Sequence, residues 1–496
     1  MYQLIILGII LLITLYVLKR PRGPKLNLPP LVHYKYPIIG HTFSYMLNCE
    51  EFFKQCRKEY GDIFSLYLWG QVITFVGKEH NYELFARDDA FDFRGEFKKR
   101  VPGDAMFANG FGDGDYNAKA VKEYISDKLG LYTKRMQKCL HSATQKYIGD
   151  GDDNGRATIY KIYNVMTKII STPIADIFVG EEEAVYDDII ITFAEFTADI
   201  AIFIAIPPLL DFIYPGLQGY VNRIIVKSGL YNPAKKHQDV LVKHIKNQVE
   251  KRLREKQVYG DSWKRPKDLL QDFMEEESFD TKNVDYEAIA SKFCTFIFAA
   301  IHATSRSCAN AIVDLACRPE YMQELYEEQL EIHKQADENG ILPFESINEM
   351  KKLDSFVRES IRLTGDIAAH PRRVVKDYTF SNGLQVPKDH VVDVNFSDVY
   401  QDELLQGPNP ESFEPFRHIN KNFPASKMSK NFLAFGGGKH ACPGRIFAVN
   451  EIKFFMHNAI LKYNIYTESG KFEKKIRIGP MTLPTNNGIV FEKRSK

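Results

Sequence analysis

One cysteine in a glycine-rich loop constrains this 496-residue chain more than any other feature. The loop, residues 435–444, reads FGGGKHACPG, and Pro443 suits the first turn of a helix that we predict to follow. Glycines let a backbone approach a sulfur atom closely and direct N–H groups at it, and the positive end of a helix lowers the pKa of a thiol. We therefore expect Cys442 to be a thiolate that ligates a metal ion.

Four residues of this loop carry a resemblance to a known family. Phe435, Gly438, Cys442 and Gly444 match the haem-binding signature of the cytochrome P450 family. The resemblance implies that Cys442 is the axial ligand of the iron in haem b (iron protoporphyrin IX), with the other three residues in the haem pocket. It also implies that the chain is an oxidoreductase, a haem-thiolate monooxygenase.

Two other roles of Cys442 are less favoured. It could be a buried structural cysteine in a glycine turn. A zinc site is weaker still, because the nearest other cysteine in the sequence is Cys317 and no pair of cysteines has zinc-binding spacing. The further matches to the family favour the iron ligand.

Two more segments are similar to those of the family. Glu359 and Arg362 are three residues apart, so on a helix they share a face. Arg417 lies in residues 410–418, which resemble the family's segment whose arginine joins this pair. A solvated surface ion pair is the ordinary alternative. The resemblance implies that the three residues form a triad that supports the scaffold beside the haem and takes no part in chemistry.

Length and pattern favour one large domain at residues 31–496, since the sequence has no internal repeat or low-complexity linker. Long helical patterns dominate. The short β-prone runs Phe64–Trp69 and Val72–Val76, joined at Gly70 and Gln71, predict a hairpin in a small sheet region. The predicted fold class is mainly α with a small β-sheet region (α+β), the cytochrome P450 fold.

The first 30 residues have the pattern of a membrane anchor and a linker. Leu4–Leu18 is an almost unbroken apolar run that reaches, with Tyr2 and Gln3, the lower limit of about 17 residues for a spanning helix. Positive charges follow it directly and no small-residue cleavage site is present. We expect a retained transmembrane anchor at 1–20, a proline-rich linker at 21–30 and a domain that faces the cytosol. The pattern resembles microsomal members of the family and implies the endoplasmic reticulum membrane.

Charge and cysteine content exclude other classes of protein. The net charge is +1, which gives no indication of nucleic-acid binding. The chain has seven cysteines without paired spacings, which indicates a reducing compartment and no disulfides.

A long apolar segment, Asp285–Cys317, carries polar residues in its middle. In the family this helix crosses the distal face of the haem, where small residues leave room for oxygen and a hydroxyl helps to deliver protons. In this chain His302 stands at the position where the family usually has an acidic residue. Ala303 stands where the family usually has a threonine, and Thr304 follows it. Thr304, Ser305 or an ordered water could replace the missing relay, or His302 could shuttle protons itself. The alternatives are a structural polar contact for His302 and a bond from Thr304 to the preceding helical turn.

Haem propionates need cationic partners. Arg372 lies where the family places such an arginine, His440 occupies the basic position two residues before the ligand, and Arg373 could substitute for Arg372. The tryptophan-containing helical partner that is common in the family is missing, because neither Trp69 nor Trp263 fits that pattern. Its role could fall to Tyr116, Tyr124 or Lys128.

Residues 415–450 contain no Asp or Glu but several cations around Cys442. These cations are Arg417, Lys421, Lys427, Lys430, Lys439 and Arg445. They predict a positive proximal haem face that suits an acidic electron donor, and a solvated basic surface is the ordinary alternative. The resemblance to the microsomal class implies NADPH–cytochrome P450 reductase as the donor.

Phe193–Pro215 is an apolar region that either dips into the bilayer and forms the substrate entrance or is a core helix hairpin. Access from the membrane favours a small hydrophobic substrate such as a steroid, sterol or terpenoid. Details of the sequence, such as Lys376–Phe380, are most similar to fungal members of the family.

The resemblance thus implies a monooxygenase that uses O2 and inserts one oxygen atom into a C–H bond. One alternative is a sterol 14α-demethylase-like enzyme, suggested by His302 and by Phe107–Phe111. Another is a rearranging isomerase or dehydratase that needs no reductase, which Ala303 permits. A non-enzymatic haem sensor is least favoured, because the basic stretch around Cys442 favours turnover.

Overall fold

The computed structural model describes residues 26–107, 111–368, 370–421 and 423–495. The predicted anchor at 1–20 and half of the predicted linker at 21–30 therefore lie outside the described residues. The same holds for residues 108–110 in the middle of Phe107–Phe111.

Helices make up most of the described chain. Their bounds are α1 Thr42–Leu47, α2 Cys49–Tyr60, α3 Asn81–Ala86, α4 Phe93–Arg100, α5 Gly103–Met106, α6 Gly114–Ala120, α7 Leu129–Tyr147, α8 Ile162–Val179, α9 Asp187–Ala205, α10 Leu217–Lys227, α11 Lys235–Tyr259, α12 Leu269–Met274, α13 Tyr286–Ala316, α14 Met322–His333, α15 Lys351–Thr364, α16 Phe396–Tyr400, α17 Glu403–Gln406 and α18 Arg445–Lys462. Short 3₁₀ turns include Leu209–Phe212 and Gly438–His440.

The strands are short and form small sheets. Their bounds are β1 Ile63–Leu68, β2 Gln71–Val76, β3 Phe91–Asp92, β4 Arg156–Ile159, β5 Arg372–Val374, β6 Tyr378–Thr379, β7 Gln385–Val386, β8 Val391–Val394, β9 Tyr463–Thr467, β10 Ile476–Ile478, β11 Met481–Leu483 and β12 Ile489–Lys493. The largest sheet has the order β1-β2-β8-β5-β3, in which only β2 and β8 run parallel. A second sheet has the order β4-β12-β9, and β10-β11 and β6-β7 are hairpin-like pairs.

The long helix α13 forms the centre of the core. Asp285 caps its amino end by accepting a hydrogen bond from the Ala288 N–H at 2.9 Å. The helix ends at Ala316, shortly before Pro319, because proline cannot continue a helix. It packs against α8, α9, α11, α15 and α18. The helix predicted from Asp285 to about Cys317 is therefore confirmed, and so is the mainly helical fold class with small sheets.

The predicted hairpin is also confirmed, since β1 and β2 pair antiparallel from Ile63–Val76 to Leu68–Gln71. Its turn is Trp69-Gly70, and both residues have positive φ angles, +50° and +74°. The sequence pattern assigned Trp69 to the first strand, but the tight two-residue turn includes it. A Cβ atom on Gly70 would lie 2.2 Å from the carbonyl oxygen of Asp211, so the hairpin tip touches the turn Leu209–Phe212.

The apolar region Phe193–Pro215 is divided between core and surface. Phe193 and Phe196 are fully buried, whereas large apolar side chains near the end of α9 and after it are exposed. These exposed side chains are Ile204, Ile206, Leu209, Ile213 and Tyr214. Among the described residues, Asp187–Phe212 and Tyr286–Ala316 are long and apolar enough to span a membrane by length and composition. The second of these is the central core helix.

Candidate active site

Cys442 lies directly before α18, in a loop closed by a hydrogen bond from its own N–H to the Phe435 carbonyl at 2.9 Å. Its Sγ accepts hydrogen bonds from the backbone N–H groups of Gly444 and Arg445. Those N–H groups belong to the positive end of α18, which the sequence predicted for this position. The loop therefore presents a sulfur atom that is already surrounded by hydrogen-bond donors.

Burial and the nearby hydrogen-bond donors shift the pKa of the Cys442 thiol in opposite directions. Burial raises the pKa of Cys442, and the N–H groups and the charge of Arg445 lower it by less, so the pKa lies above its ordinary value. A bound metal cation deprotonates a coordinating thiol outright. The expected thiolate therefore depends on the metal ion as well as on the loop.

The loop glycines are required by a second, unpredicted contact. Gly438 has a φ of +62°, and a Cβ atom there would lie 2.0 Å from the carbonyl oxygen of Phe85 in α3. A Cβ atom on Gly437 would lie 3.1 Å from the Phe85 ring. The loop is thus held against α3, and only glycine permits so close an approach.

The predicted propionate partners Arg372 and His440 lie close to each other and to this loop. The guanidinium carbon of Arg372 is 4.6 Å from the Phe85 ring centre and 5.7 Å from that of Phe93, and the Phe93 ring is 6.3 Å from the His440 ring. Arg372 Nη1 donates to the His370 carbonyl at 2.9 Å, while its buried Nε has no partner within the described part of the chain. A buried cation with an unused donor beside the cysteine loop fits an anionic haem propionate.

The other cationic or hydroxyl groups considered for that role have acidic partners. Tyr116 and Tyr124 both donate to Glu276, and Lys128 lies 2.8 Å from Asp272. Arg373, the substitute for Arg372, donates to Glu96 at 2.8 Å. The acidic residues at the end of α12 were missed because they lie about 150 residues from Tyr116 and Tyr124 in the sequence.

The middle of α13 has a strip of small, accessible side chains. Ala299 and Ala303 are exposed, although Ile297, Ile301 and Ser305 on the other faces are buried. Since residues four apart share a face of a helix, the two alanines form one strip. α13 and the cysteine helix α18 pack against each other. A strip of small residues on such a helix fits the space that the family reserves for haem and oxygen.

The structure places Thr304 and His302 on different faces of α13. The Thr304 hydroxyl donates to the Ala300 carbonyl at 2.9 Å, the bond to the preceding turn that was one alternative. The His302 ring stacks on the Tyr163 ring, bonds the Tyr163 hydroxyl through Nδ1 and hydrogen bonds the backbone of Thr197. Burial lowers the pKa of His302 to about 4, so the ring is neutral near pH 7. These contacts favour the structural interpretation of His302, and its role in proton transfer stays a prediction.

The predicted triad of Glu359, Arg362 and Arg417 is confirmed. Arg362 donates to both Glu359 oxygens at 2.7 and 2.8 Å, and Arg417 Nε donates to one of them at 3.1 Å. The Glu359 and Arg362 side chains have no exposed surface. Burial alone would raise the pKa of Glu359, but hydrogen bonds from Arg362 and His418 outweigh it and lower the pKa to about 2.

The basic stretch around Cys442 is exposed only in part. Lys421, Lys427, Lys430 and Lys439 are exposed, and Lys439 lies 3.5 Å from Asp115. Arg417, however, has 3% of its side chain exposed because it belongs to the triad. Its inclusion in the positive surface was therefore wrong, since the sequence pattern does not distinguish a paired buried arginine from a solvated one.

Known proteins match almost the whole length of this chain. The model of the family "Cytochrome P450" matches residues 29–491. Cytochrome P450 monooxygenase 71 of Postia placenta is 28% identical over 99% of this chain and 98% of its own length, and monooxygenase 110 of the same fungus is 27% identical over the same shares. The solved structure of retinoic acid-bound cyanobacterial CYP120A1 superimposes with a TM-score of 0.69 at 18% identity, covering 94% of this chain and 99% of that one.

The first prediction concerns Cys442. In the reduced, carbon monoxide-bound protein we expect the red-shifted Soret band of thiolate-ligated haem, and Cys442→Ala should abolish it because the axial sulfur is lost. Cys56→Ala and Cys139→Ala are matched controls that should leave the absorption spectrum unchanged. A normal band in Cys442→Ala would refute the ligand assignment.

A second prediction concerns the triad. Glu359→Gln should lower the free energy of unfolding by about 3–5 kcal/mol, because it leaves the fully buried Arg362 without a compensating charge and removes the buried partner of Arg417. Glu414 also pairs with Arg417, at 3.2 Å, but 45% of its side chain is exposed. Glu414→Gln should therefore cost less than about 1 kcal/mol in the same urea titration. Equal losses in the two variants would contradict the central role of Glu359.

Proposed function

The chain belongs to the cytochrome P450 family and is a monooxygenase, and on that premise we propose that it hydroxylates a small hydrophobic molecule of the steroid, sterol or terpenoid class. We propose NADPH–cytochrome P450 reductase as its electron donor and haem b as its cofactor. The observation that carries the proposal is the cysteine loop, whose sulfur accepts two backbone N–H groups beside the buried Arg372.

Each loop residue has a proposed task in holding the haem. Cys442 ligates the iron from one side, and the N–H groups of Gly444 and Arg445 stabilise its negative charge. Phe435 accepts the hydrogen bond that closes the loop, and Gly438 allows it to lie against α3. Arg372 and His440 bind the propionates. When bound, the haem supplies the iron centre at which dioxygen is reduced and one oxygen atom is inserted into a C–H bond.

The small side chains of α13 have a proposed role in admitting oxygen and substrate. Ala299 and Ala303 leave accessible space along the helix, and Thr304 lies one residue further on. Thr304 donates its hydroxyl proton to the Ala300 carbonyl, so its oxygen is free to accept a hydrogen bond from a water or a substrate. We propose that Thr304 conveys protons during oxygen activation and that His302 holds α13 against α8 and α9.

The substrate class and the membrane location rest on the exposed apolar side chains after α9. Ile206 is 51% exposed, Leu209 62% and Ile213 75%, and the tip of the β1–β2 hairpin lies beside them. Adjacent exposed apolar side chains mark a surface that binds membrane or apolar ligands. We propose that this surface rests on the endoplasmic reticulum membrane, with the anchor at 1–20, the linker at 21–30 and the domain at 31–496 on the cytosolic side.

The proposed function is tested by a screen for substrate binding. Binding of a substrate displaces the distal water and shifts the haem absorption, so a panel of steroids, sterols, terpenoids and fatty acids can be ranked without assuming a product. We expect shifts with members of the first three groups, followed by oxygenated product when reductase and NADPH are added. The substrate proposal fails if only fatty acids bind. The electron-donor proposal fails if a bound compound is converted without NADPH consumption, as a rearranging enzyme would do.

A third prediction concerns the docking of the reductase. Replacing Lys430 and Lys439 by Gln should slow reductase-driven turnover severalfold and flatten its dependence on salt, because exposed charges steer the encounter of charged proteins. Turnover driven by added peroxide should be unchanged, since it needs no reductase. Two exposed lysines, Lys246 in α11 and Lys334 directly after α14, provide a control pair. Equal losses in the two kinds of turnover would mean that the two lysines support the haem pocket.

A fourth prediction concerns Thr304. Thr304→Ala should raise the fraction of NADPH electrons recovered as hydrogen peroxide, because oxygen that is only partly reduced leaves when a proton arrives late. Substrate affinity, measured by the absorption shift, should change little. Thr304→Ser keeps the hydroxyl and should give the same hydrogen peroxide yield as the wild-type protein. An unchanged peroxide yield in Thr304→Ala, with a large increase in His302→Ala, would assign proton transfer to His302 and not to Thr304.

A further inference from the structure

The helix α13 lacks a carboxylate near the place where protons are needed. Its acidic residues are Glu287 and Asp314, which lie 16 residues before and 11 residues after Ala303. At a rise of 1.5 Å per residue, these distances are about 24 Å and about 16 Å along the helix axis. A carboxylate that supplies protons near Ala303 therefore has to belong to another element.

Arg306 brings such a residue to the accessible strip. It lies three residues after Ala303 and seven after Ala299, so the three side chains share one face of α13. Its Nη1 and Nη2 donate to Oδ1 and Oδ2 of Asp366 at 2.8 and 3.1 Å. Asp366 follows the carboxyl end of α15 by two residues. The paired hydrogen bonds hold this carboxylate at the end of the Arg306 side chain, which extends from the α13 face that carries Ala299 and Ala303.

Asp366 also lines a cavity of about 430 Å³ between α13, α15 and the β10–β11 hairpin. Charged side chains form much of its wall, among them Asp314, Arg318 and Lys475. Thr482 lines the same cavity, and its buried hydroxyl has no hydrogen-bond partner in the residues that the structure describes. A cavity of this size can hold on the order of ten water molecules, and its charged side chains and the unpaired Thr482 hydroxyl provide groups that bind water.

We infer that Asp366, oriented by Arg306, supplies the protons of oxygen reduction and recovers them from water in this cavity. In the overall reaction, one substrate C–H bond, O2, two electrons and two protons give one hydroxyl group and one water molecule. The electrons come from NADPH through the reductase, so the inference rests on the proposed function. Solvent first delivers a proton through the cavity water to the ionised Asp366 carboxylate, which then transfers it towards the Ala299–Ala303 strip and returns to its ionised, Arg306-paired form. Arg306 is a positioning residue, since it acts through Asp366.

The pair differs from an ordinary structural salt bridge in its access to water. The Arg306 side chain is 25% exposed and that of Asp366 is 15% exposed, whereas Glu359 and Arg362 of the triad have no exposed surface. A proton donor has to be reprotonated from solvent after each transfer, and the cavity gives Asp366 contact with that solvent. Sequence reasoning missed the pair because 60 residues separate its members and neither belongs to a recognised motif.

The decisive comparison is Asp366→Asn with Asp314→Asn. Asp314 lines the same cavity and pairs with Arg318 at 3.0 Å and Lys475 at 2.7 Å, but it lies far from Ala303 along α13. The rate at which O2 is reduced to water, with reductase and NADPH and no added substrate, should fall at least about tenfold in Asp366→Asn. The effect of D2O on that rate should grow, and Asp314→Asn should change neither quantity. Asp366→Glu keeps the carboxyl group and should restore most of the rate.

A second readout needs no turnover. In the dithionite-reduced protein with bound carbon monoxide, the C–O stretching band should shift between H2O and D2O in the unchanged protein, because Asp366 orders exchangeable protons near the ligand. Asp366→Asn and Arg306→Gln should remove this isotope shift, and Asp314→Asn should keep it. The band is measured in protein that retains the Soret absorption, so a variant that fails to fold is recognised at once.

Two outcomes would overturn the inference. One is an equal effect of Asp366→Asn and Asp314→Asn on water formation and on the C–O band, which would mean a general role of the cavity in stability. The other is a large loss of steroid or terpenoid affinity in Asp366→Asn with normal water formation, which would make the pair a substrate contact. If the unchanged protein oxidises no compound, the proposed function fails, while the C–O band still tests Asp366.

Discussion

The fully buried carboxylate of Glu359 is the charge on which the arrangement of the site depends. Moving such a group out of water is costly, and it stays ionised because Arg362 and Arg417 bond it directly. The arginines use their other donors on backbone carbonyls of the segment between α16 and the cysteine loop. These carbonyls belong to Tyr400, Pro410, Gln406, Pro408 and Asn409. One carboxylate thereby fixes the backbone between Tyr400 and Pro410, a stretch with little regular structure that precedes the cysteine loop in the chain.

The neighbouring Arg358 extends the same constraint. It donates to the carbonyls of Pro424 and Lys427 at 3.0 Å and lies over the Phe432 ring at 3.8 Å. Phe432 stands three residues before Phe435, where the loop closes. α15 thus holds the loop on one side, and the chain after its carboxyl end carries Asp366 and Arg372. The proposed proton donor, the proposed propionate partner and the proposed cysteine ligand are therefore all positioned by α15 and the chain that follows it.

The parts that the sequence predicted well are those determined over a few residues. The order of glycines around Cys442, the spacing of Glu359 and Arg362 and the start of the long helix at Asp285 are local patterns with local physical causes. The contacts of His302 with Tyr163, of Gly438 with Phe85 and of Arg306 with Asp366 join distant parts of the chain, and no periodicity reveals them. Burial also changes the charge and the exposure of single residues in ways that the sequence does not reveal. It raises the pKa of the Cys442 thiol above its ordinary value despite two N–H donors, and it removes Arg417 from the basic surface.

Two kinds of buried charge therefore coexist around α15, and water access separates their roles. A buried ion pair contributes little net stability compared with apolar side chains of the same shape, so its presence calls for a reason beyond stability. For Glu359 the reason is geometric, because its partners bond many carbonyls at once and no atom of the carboxylate meets solvent. Asp366 makes one bidentate pair and organises little backbone, but it lines a cavity that other charged side chains share. A carboxylate in that position exchanges protons with water while its arginine keeps it in place, which is the property that the α13 sequence lacks at His302 and Ala303.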